Sequence, residues 1–322
     1  MAAPVPGAGA NRWHGLVPGA AGDLHGRVPG PGLVVVHPAR RAVVIRVELA
    51  KQCRRARGWV TLGVMAAVPA LLTGVIGLTR PAIPERVGSW GSVVTSTSGL
   101  TMPLIALSAM QLFLLPLAVA VFAGEAVAGE AAWGSLRYVL ARPRSRSRVL
   151  AAKAGVAAAF SAAAVAVAGG SAVLTGVAAF GWMPLTVLDL QHTTVFAYAV
   201  ATFAPGEALG RVALGAGMVA AGLASTFAFT LLLSTLTASP FAAVAGGVGL
   251  GLVSRALDNV AGLHALGPWL PLTDAGSTLW TGLFLSPVQL DGLAQQALVQ
   301  AAYVALFLAA AWLRFTRADV LA

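Results

Sequence analysis

Cysteine, lysine and carboxylates are scarce in this sequence, and each shortage removes a class of chemistry. One cysteine, Cys53, stands among 322 residues, so no disulfide can close within the chain and a thiolate metal cluster is excluded. Lysine occurs only at Lys51 and Lys153, and neither precedes Ser or Thr after a glycine-rich turn. The chain therefore carries no phosphate-binding P-loop of its own. The histidines His14, His25, His37, His192 and His264 are scattered, no HExxH pair exists, and no serine stands in a GxSxG elbow. Without a nucleophile, metal set or paired acid the sequence reads as no enzyme, and no cofactor or metal is expected. Charged residues make up 10%, against about a quarter in soluble domains. Hydrophobic residues reach 58% and the mean hydropathy is +0.82, which places the chain in a lipid bilayer.

What is present is a set of long apolar runs. A helix rises about 1.5 Å per residue and the hydrocarbon layer is about 30 Å thick, so about 20 apolar residues cross it. Six windows qualify, at Trp59 to Leu78, Leu104 to Ala123, Ala154 to Phe180, Val212 to Leu236, Phe241 to Val260 and Leu293 to Leu313. They are rich in Ala, Val, Leu and Gly without polar alternation, which favours helices over barrel strands. The predicted fold is an all-α membrane protein of six transmembrane helices.

Basic residues near span ends stay on the cytoplasmic side. With the N-terminus inside, every Lys and Arg except Arg80, Arg86, Arg211 and Arg255 falls in a cytoplasmic segment, and six spans return the C-terminus to the cytoplasm. The net charge of +10 and the pI near 11.3 are thus read as a topology signal. Nucleic-acid binding lacks a soluble domain to present the charge, so no nucleic-acid partner is expected.

Residues 1–42 are dotted with Gly, Pro and Ala, lack helical periodicity, and are expected to be a disordered extension; residues 43–322 form the membrane domain. From Val43 to Trp59, VVIRVELAKQCRRARGW places Val44, Val47 and Ala50 or Lys51 at helical spacing, followed by basic residues. This predicts an amphipathic elbow helix on the inner leaflet, with Lys51, Arg54, Arg55 and Arg57 anchoring it at about 1 kcal/mol each. A simple positively charged flank is the plainer alternative.

Acidic and basic residues concentrate in GEAVAGEAAWGSLRYVLARPRSRSRVLAAK, Gly124 to Lys153, between the second and third windows. Glu125 and Glu130 fall at or just past the inner boundary, on a helix that continues beyond the membrane. Five residues apart, they do not share a face, which argues for contacts rather than acid–base chemistry. Gly124, Ala128, Ala131 or Ala132 and Ser135 form a small-residue stripe suited to close helix approach. Pro143 stops the helix and Ser145 is expected to cap the next. Arg146 and Arg148 oppose that helix's dipole, so lipid phosphates or an acidic partner must favour them.

These residues resemble the signature loop of ABC-2 type transporter permeases, the membrane subunits of ATP-binding-cassette exporters. In that family the loop starts Gly-Glu or Gly-Asp, then runs through Ala-Gly-Glu, Gly-Thr-Leu-Arg, Arg-Pro, Ser-Arg and a closing Lys. Gly124 and Glu125, Ala128 to Glu130, Gly134 to Arg137, Arg142 and Pro143, Ser145 and Arg146, and Lys153 fill those places. Ser135 departs from the usual Thr, and Arg144 from an apolar residue. The basic elbow, the STLTASP turn at Ser234 to Pro240 and the FTRAD ending at Phe315 to Asp319 extend the likeness from about Val43 onwards. The resemblance implies a dimerising permease in the cell membrane, paired with a same or homologous subunit and driven by a separate ATP-binding subunit. It also implies a cytoplasmic coupling helix between spans two and three, with Glu125, Glu130, Arg137, Arg142, Arg146 and Lys153 as the coupling surface.

Two other classes compete. An ion-coupled carrier would need a midmembrane carboxylate and repeated halves, which are missing. A membrane anchor for an ATPase would explain the loop without transport. Polar residues within spans, Ser108, Gln111, Ser225, Thr226, Thr230, Gln295, Gln296 and Gln300, read as interhelical hydrogen bonds. Arg255 and Asp258 are expected to pair, GGVGLG at Gly246 to Gly251 to pack helices, and Leu263 to Asp291 to form an outer or re-entrant element.

Overall fold

An apolar run in hydrocarbon must satisfy its backbone within the segment, and a helix does so. The computed structural model describes residues 38–78, 92–94, 98–134, 145–194, 197–258, 260, 269–271, 280–284, 288, 290 and 292–317. Most of them are helical. Helix α1 (Pro38–Arg54) precedes α2 (Ala56–Leu78), α3 (Thr101–Gln111), α4 (Leu114–Ala132), α5 (Arg146–Phe180), α6 (Pro205–Gly222), α7 (Ala224–Leu236), α8 (Pro240–Asp258) and α9 (Leu293–Arg317). Among the described residues six stretches are long and apolar enough to cross a membrane, one overlapping each window read from the sequence, so the protein is membrane-embedded and predominantly helical. Helix α1 starts at Pro38, so residues 38–42 belong to it; the rest of the 1–42 extension lies outside the described residues.

Three features depart from the sequence expectation. First, the fold is not purely helical. Strands β1 (Ser92–Val94), β2 (Leu185–Thr194) and β3 (Ala197–Phe203) form an antiparallel sheet in the order β1-β2-β3. Leu185 faces Phe203 across β2 and β3, and Leu185, Val187, Ala201 and Phe203 are buried while Thr202 is exposed. That alternation, with β-branched residues, is a strand pattern on a half-buried sheet.

Second, the second window is broken. Leu112 and Phe113 separate α3 from α4. Pro116 has no N–H to give the carbonyl of Leu112 one turn earlier. Arg255 supplies the missing donors: its guanidinium reaches the carbonyl oxygens of Gln111 at 2.7 Å and Leu112 at 2.8 Å. Arg255 therefore serves as a clasp on a broken helix. The side chain of Asp258, its expected partner, lies outside the described residues. Replacing Arg255 with leucine strands both carbonyls at a cost of about 1–3 kcal/mol each. Lysine should rescue only part, because one ammonium lacks the fork that spans both. Thermal unfolding in detergent should rank wild type above Arg255→Lys above Arg255→Leu.

Third, Ser145 occupies the N-cap position of α5 with extended backbone, but its side chain makes no capping hydrogen bond.

Helix packing follows the small residues. Gly246 and Gly247 admit α7: an added Cβ would meet Leu233 at 2.5 Å at the first and collide with Thr230 at the second. Gly249 and Gly251 face open space, so the packing role belongs to the first pair. At Gly124 a Cβ would lie 2.8 Å from Val244, which sets the approach of α4 to α8.

At the sheet end, Trp280 is fully buried on the short 3-10 helix Trp280–Phe284. A Cβ on Gly215 would stand 2.6 Å from its indole. Gly215 is ten residues into α6, about 15 Å down the helix. Tyr303 donates to the Trp269 carbonyl at 3.0 Å and Gln300 to that of Leu270 at 3.4 Å. Of the segment before α9, the described residues Trp280, Trp269 and Leu270 thus pack on or bond to α6 and α9.

Candidate functional site: a buried charge cluster where α1 meets the bundle

Depth along the helices locates the charges. Helix α5, with 35 residues, is longer than the about 20 that cross hydrocarbon. Phe160 packs on Phe122 of α4 with ring centroids 5.5 Å apart. Composition alone carries the second span to Ala132. Glu125, Glu130 and Lys153 lie beyond the two rings, at the end of the bundle away from the sheet. Glu130 sits about 12 Å past Phe122 by helical rise.

In this knuckle α1 turns a charged face inward. Residues 48, 51, 52 and 55 follow the i, i+3, i+4, i+7 spacing of one helical face. They place Glu48, Lys51, Gln52 and Arg55 along a cleft shared with Ala126, Glu130, Lys153 and Val156. The apolar Val47 and Leu49 are exposed.

Lys153 Nζ lies 2.6 Å from Glu130 Oε1 and 3.4 Å from Glu48 Oε2. Lys51 Nζ is 3.2 Å from Glu130 Oε1 and 3.2 Å from Glu48 Oε1. Two carboxylates and two ammonium groups close a neutral ring joining α1, α4 and α5. Glu130 and Lys153 are buried, at 5% and 4% exposure. Such a pair is costly to form and more costly to leave half-made. Burial pushes the Lys51 ammonium down, but the Glu130 and Glu48 carboxylates outweigh it together and leave its pKa raised. A raised lysine pKa means that its stabilisation is present below the ordinary lysine value and is lost only as pH rises through the folded one. Lys51 stays charged throughout the physiological range.

Glu125 has separate partners, because five residues turn a helix by about 140° beyond one full turn. Its carboxylate is 3.0 Å from Arg57 Nη1 and 3.8 Å from Arg55 Nη1. The two glutamates thus have different partners, Glu130 on α1 and α5 and Glu125 where α2 begins.

Of the expected coupling residues, then, Glu130 and Lys153 come together on α1, while Glu125 pairs with Arg55 and Arg57 where α2 begins. Arg146 donates to the Thr316 carbonyl at 3.3 Å, at the C-terminal end of α9, where a cation meets a favourable dipole. This is an intramolecular reason for the arginine at an unfavourable helix start. Arg137 and Arg142 lie outside the described residues. Of the expected lipid anchors, Lys51, Arg55 and Arg57 turn toward the bundle's carboxylates, and Arg54 is exposed.

Glu48 was not among the sequence expectations. Its signal is that it is the one acid in the elbow segment, three residues before Lys51. Ser234 was missed too. Its hydroxyl donates to the Gly124 carbonyl at 2.7 Å and accepts from the N–H groups of Ala128 at 2.9 Å and Val127 at 3.1 Å. It bridges the donor and acceptor that a helix would join directly, just above the cluster, which pins α7 to α4. Ser234→Ala should cost about 1–3 kcal/mol by stranding buried backbone groups. A melting temperature equal to wild type would refute the bridge's importance.

The family model described as a protein of unknown function, DUF2705, matches residues 90–321. The chain belongs to the DUF2705 family. No curated protein matches the sequence. The DUF2705 match includes Glu125, Glu130, Lys153 and Ser234 but starts after α1 and α2, so Glu48 and Lys51 stand outside it.

Proposed function

We propose that the protein is the permease subunit of an ABC exporter of the ABC-2 type. In this reading it sits in the cell membrane with both termini cytoplasmic, lines a path in a dimer with a same or homologous subunit, and takes its energy from a separate ATP-binding subunit. The observation that carries the reading is the closed charge ring of Glu48, Lys51, Glu130 and Lys153. It ties an elbow helix to the hairpin helices α4 and α5 outside the hydrocarbon, where a soluble motor would push.

The mechanism follows from stiffness. Helix α4 acts as the coupling helix's stem and α1 as the elbow, whose outward Val47 and Leu49 rest in lipid. A push on the hairpin reaches α1 through Glu130 and the start of α2 through Glu125, and reaches α7 and α8 through Ser234 and Gly124. Tilting these helices together switches the path between its two openings. The break at Leu112 and Phe113, held by Arg255, gives α4 a joint to tilt on. The chain needs no ATPase motif because the motor is another polypeptide.

Purification from native membranes tests the reading. A protein with a P-loop should copurify with the full chain and be lost with Arg142→Glu. Substrate movement by the chain in vesicles free of any ATPase would overturn it.

A further inference from the structure

The charge of Arg255 lies inside an apolar stretch. Pro240 opens α8 after the polar turn at Thr237 to Ser239, and Arg255 follows fifteen residues on, about 22 Å by helical rise against about 30 Å of hydrocarbon. An ionisable group short of the far surface is costly unless it serves a partner or a ligand. Its guanidinium is held on the Gln111 and Leu112 carbonyls. A planar fork of five N–H groups is not exhausted by two carbonyls.

Beside this clasp the break opens a cleft of about 270 Å³, whose walls include Leu112, Phe113, Thr226, Gly251, Leu252 and Arg255. Thr226 is 3% exposed, yet its hydroxyl is hydrogen-bonded to no other described residue. Thr73 on α2 and Thr175 on α5, by contrast, return their hydroxyls to the carbonyl four residues earlier. A buried hydroxyl facing a cleft without a partner calls for a ligand or water to satisfy it. Gly251 keeps the space clear, since a Cβ there would meet nothing within 4 Å. Leu112, Phe113 and Leu252 are exposed, so the mouth of the cleft is apolar.

We propose that this cleft binds a single-chain anionic amphiphile of the fatty-acid class, entering sideways from the bilayer. The carboxylate takes N–H groups of Arg255 and the Thr226 hydroxyl, because a guanidinium fork matches two carboxylate oxygens. The first carbons of the chain fill the space over Gly251, and the rest leaves past Leu112, Phe113 and Leu252 into hydrocarbon. A cleft smaller than the about 300–1,000 Å³ of sites that enclose a whole ligand suits a headgroup whose chain stays outside. This class is then the cargo, collected at the joint on which α4 tilts; that role rests on the permease reading above, whereas the binding site does not.

Photolabelling of the purified full-length chain with a diazirine-bearing palmitate tests the site. Adducts should fall within Leu112 to Pro116 or Val248 to Leu252. Excess palmitate should compete, and its methyl ester, which keeps the chain and loses the charge, should not. Gly251→Leu fills the space and should lower labelling about tenfold, and Thr226→Val should lower it severalfold. Both variants should melt close to wild type, because Gly251 faces open space and the Thr226 hydroxyl holds nothing inside the bundle. Gly249→Leu, also facing open space but outside the cleft, should label like wild type. Undiminished labelling of Gly251→Leu, or equal competition by the methyl ester, would overturn the site and leave the permease reading standing. The expected labelling in a chain that copurifies with no P-loop protein would uphold the site and overturn its role in export.

Discussion

Lys153→Met should lower the stability of the solubilised protein by about 3–5 kcal/mol, the largest loss expected from any single side chain in the knuckle. Glu130 would remain buried with its nearest cation gone, and Lys51, 3.2 Å away and itself part-exposed, would compensate only in part. The double variant Lys153→Met with Glu130→Gln should recover most of the loss, since it removes the stranded charge together with its partner. Thermal unfolding of the four proteins in a mutant cycle measures the coupling. Additive losses would show that the two residues do not act as a pair.

Gly176→Leu should be at least as damaging, for a different reason. Gly176 of α5 and Gly99 before α3 meet backbone to backbone: a Cβ at Gly99 would lie 2.5 Å from the carbonyl of Gly176, and one at Gly176 would run into the carbonyl of Gly99 and stand 2.8 Å from Met102 Cβ. Neither neighbour is the loose end of a side chain, so the helices must separate. Overpacking costs about 1–3 kcal/mol where side chains can shift, and this site offers no such relief. The separation would also pull on the Gly99 N–H bond to the Gly181 carbonyl and the Ser98 bond to the Met183 carbonyl, which fasten α3 to the end of α5. Gly170→Ala, a few residues earlier on the same helix with nothing within 4 Å, is the control and should be neutral or stabilise by up to about 1 kcal/mol. Equal melting temperatures for Gly176→Leu and Gly170→Ala would contradict the close crossing.

The two sites show what a sequence discloses and what it withholds. The spans were legible because hydrocarbon demands about 20 apolar residues regardless of neighbours. The break at Leu112 was partly legible, since Pro116 marks a lost donor. Arg255 as its clasp was not, because it lies far along the chain and its nearer acid, Asp258, offered a simpler pairing. The sheet was passed over because Leu185 to Phe203 falls between apolar windows, where attention to helical period hides a strand's alternation. Glu130 and Lys153 stood out as charges flanking the same hairpin. Their meeting inside the protein, rather than on its surface, depends on how α4 and α5 rotate about their axes. That rotation is set by tertiary packing: Val127, Val149, Leu150 and Phe315 form a small apolar cluster that turns the two helices toward each other. Periodicity on one helix cannot specify it.

The central claim is that force from an outside motor enters through the knuckle and tilts the spans. In a Cys53→Ser background, spin labels at Arg46 on the elbow and at Leu174 near the sheet end of α5 report the distance across that path, and both positions are exposed. The account predicts that ATP changes this distance in the complex with the copurified P-loop subunit and leaves it unchanged in the isolated chain. A change on adding ATP to the isolated chain, or none in the complex, would contradict it.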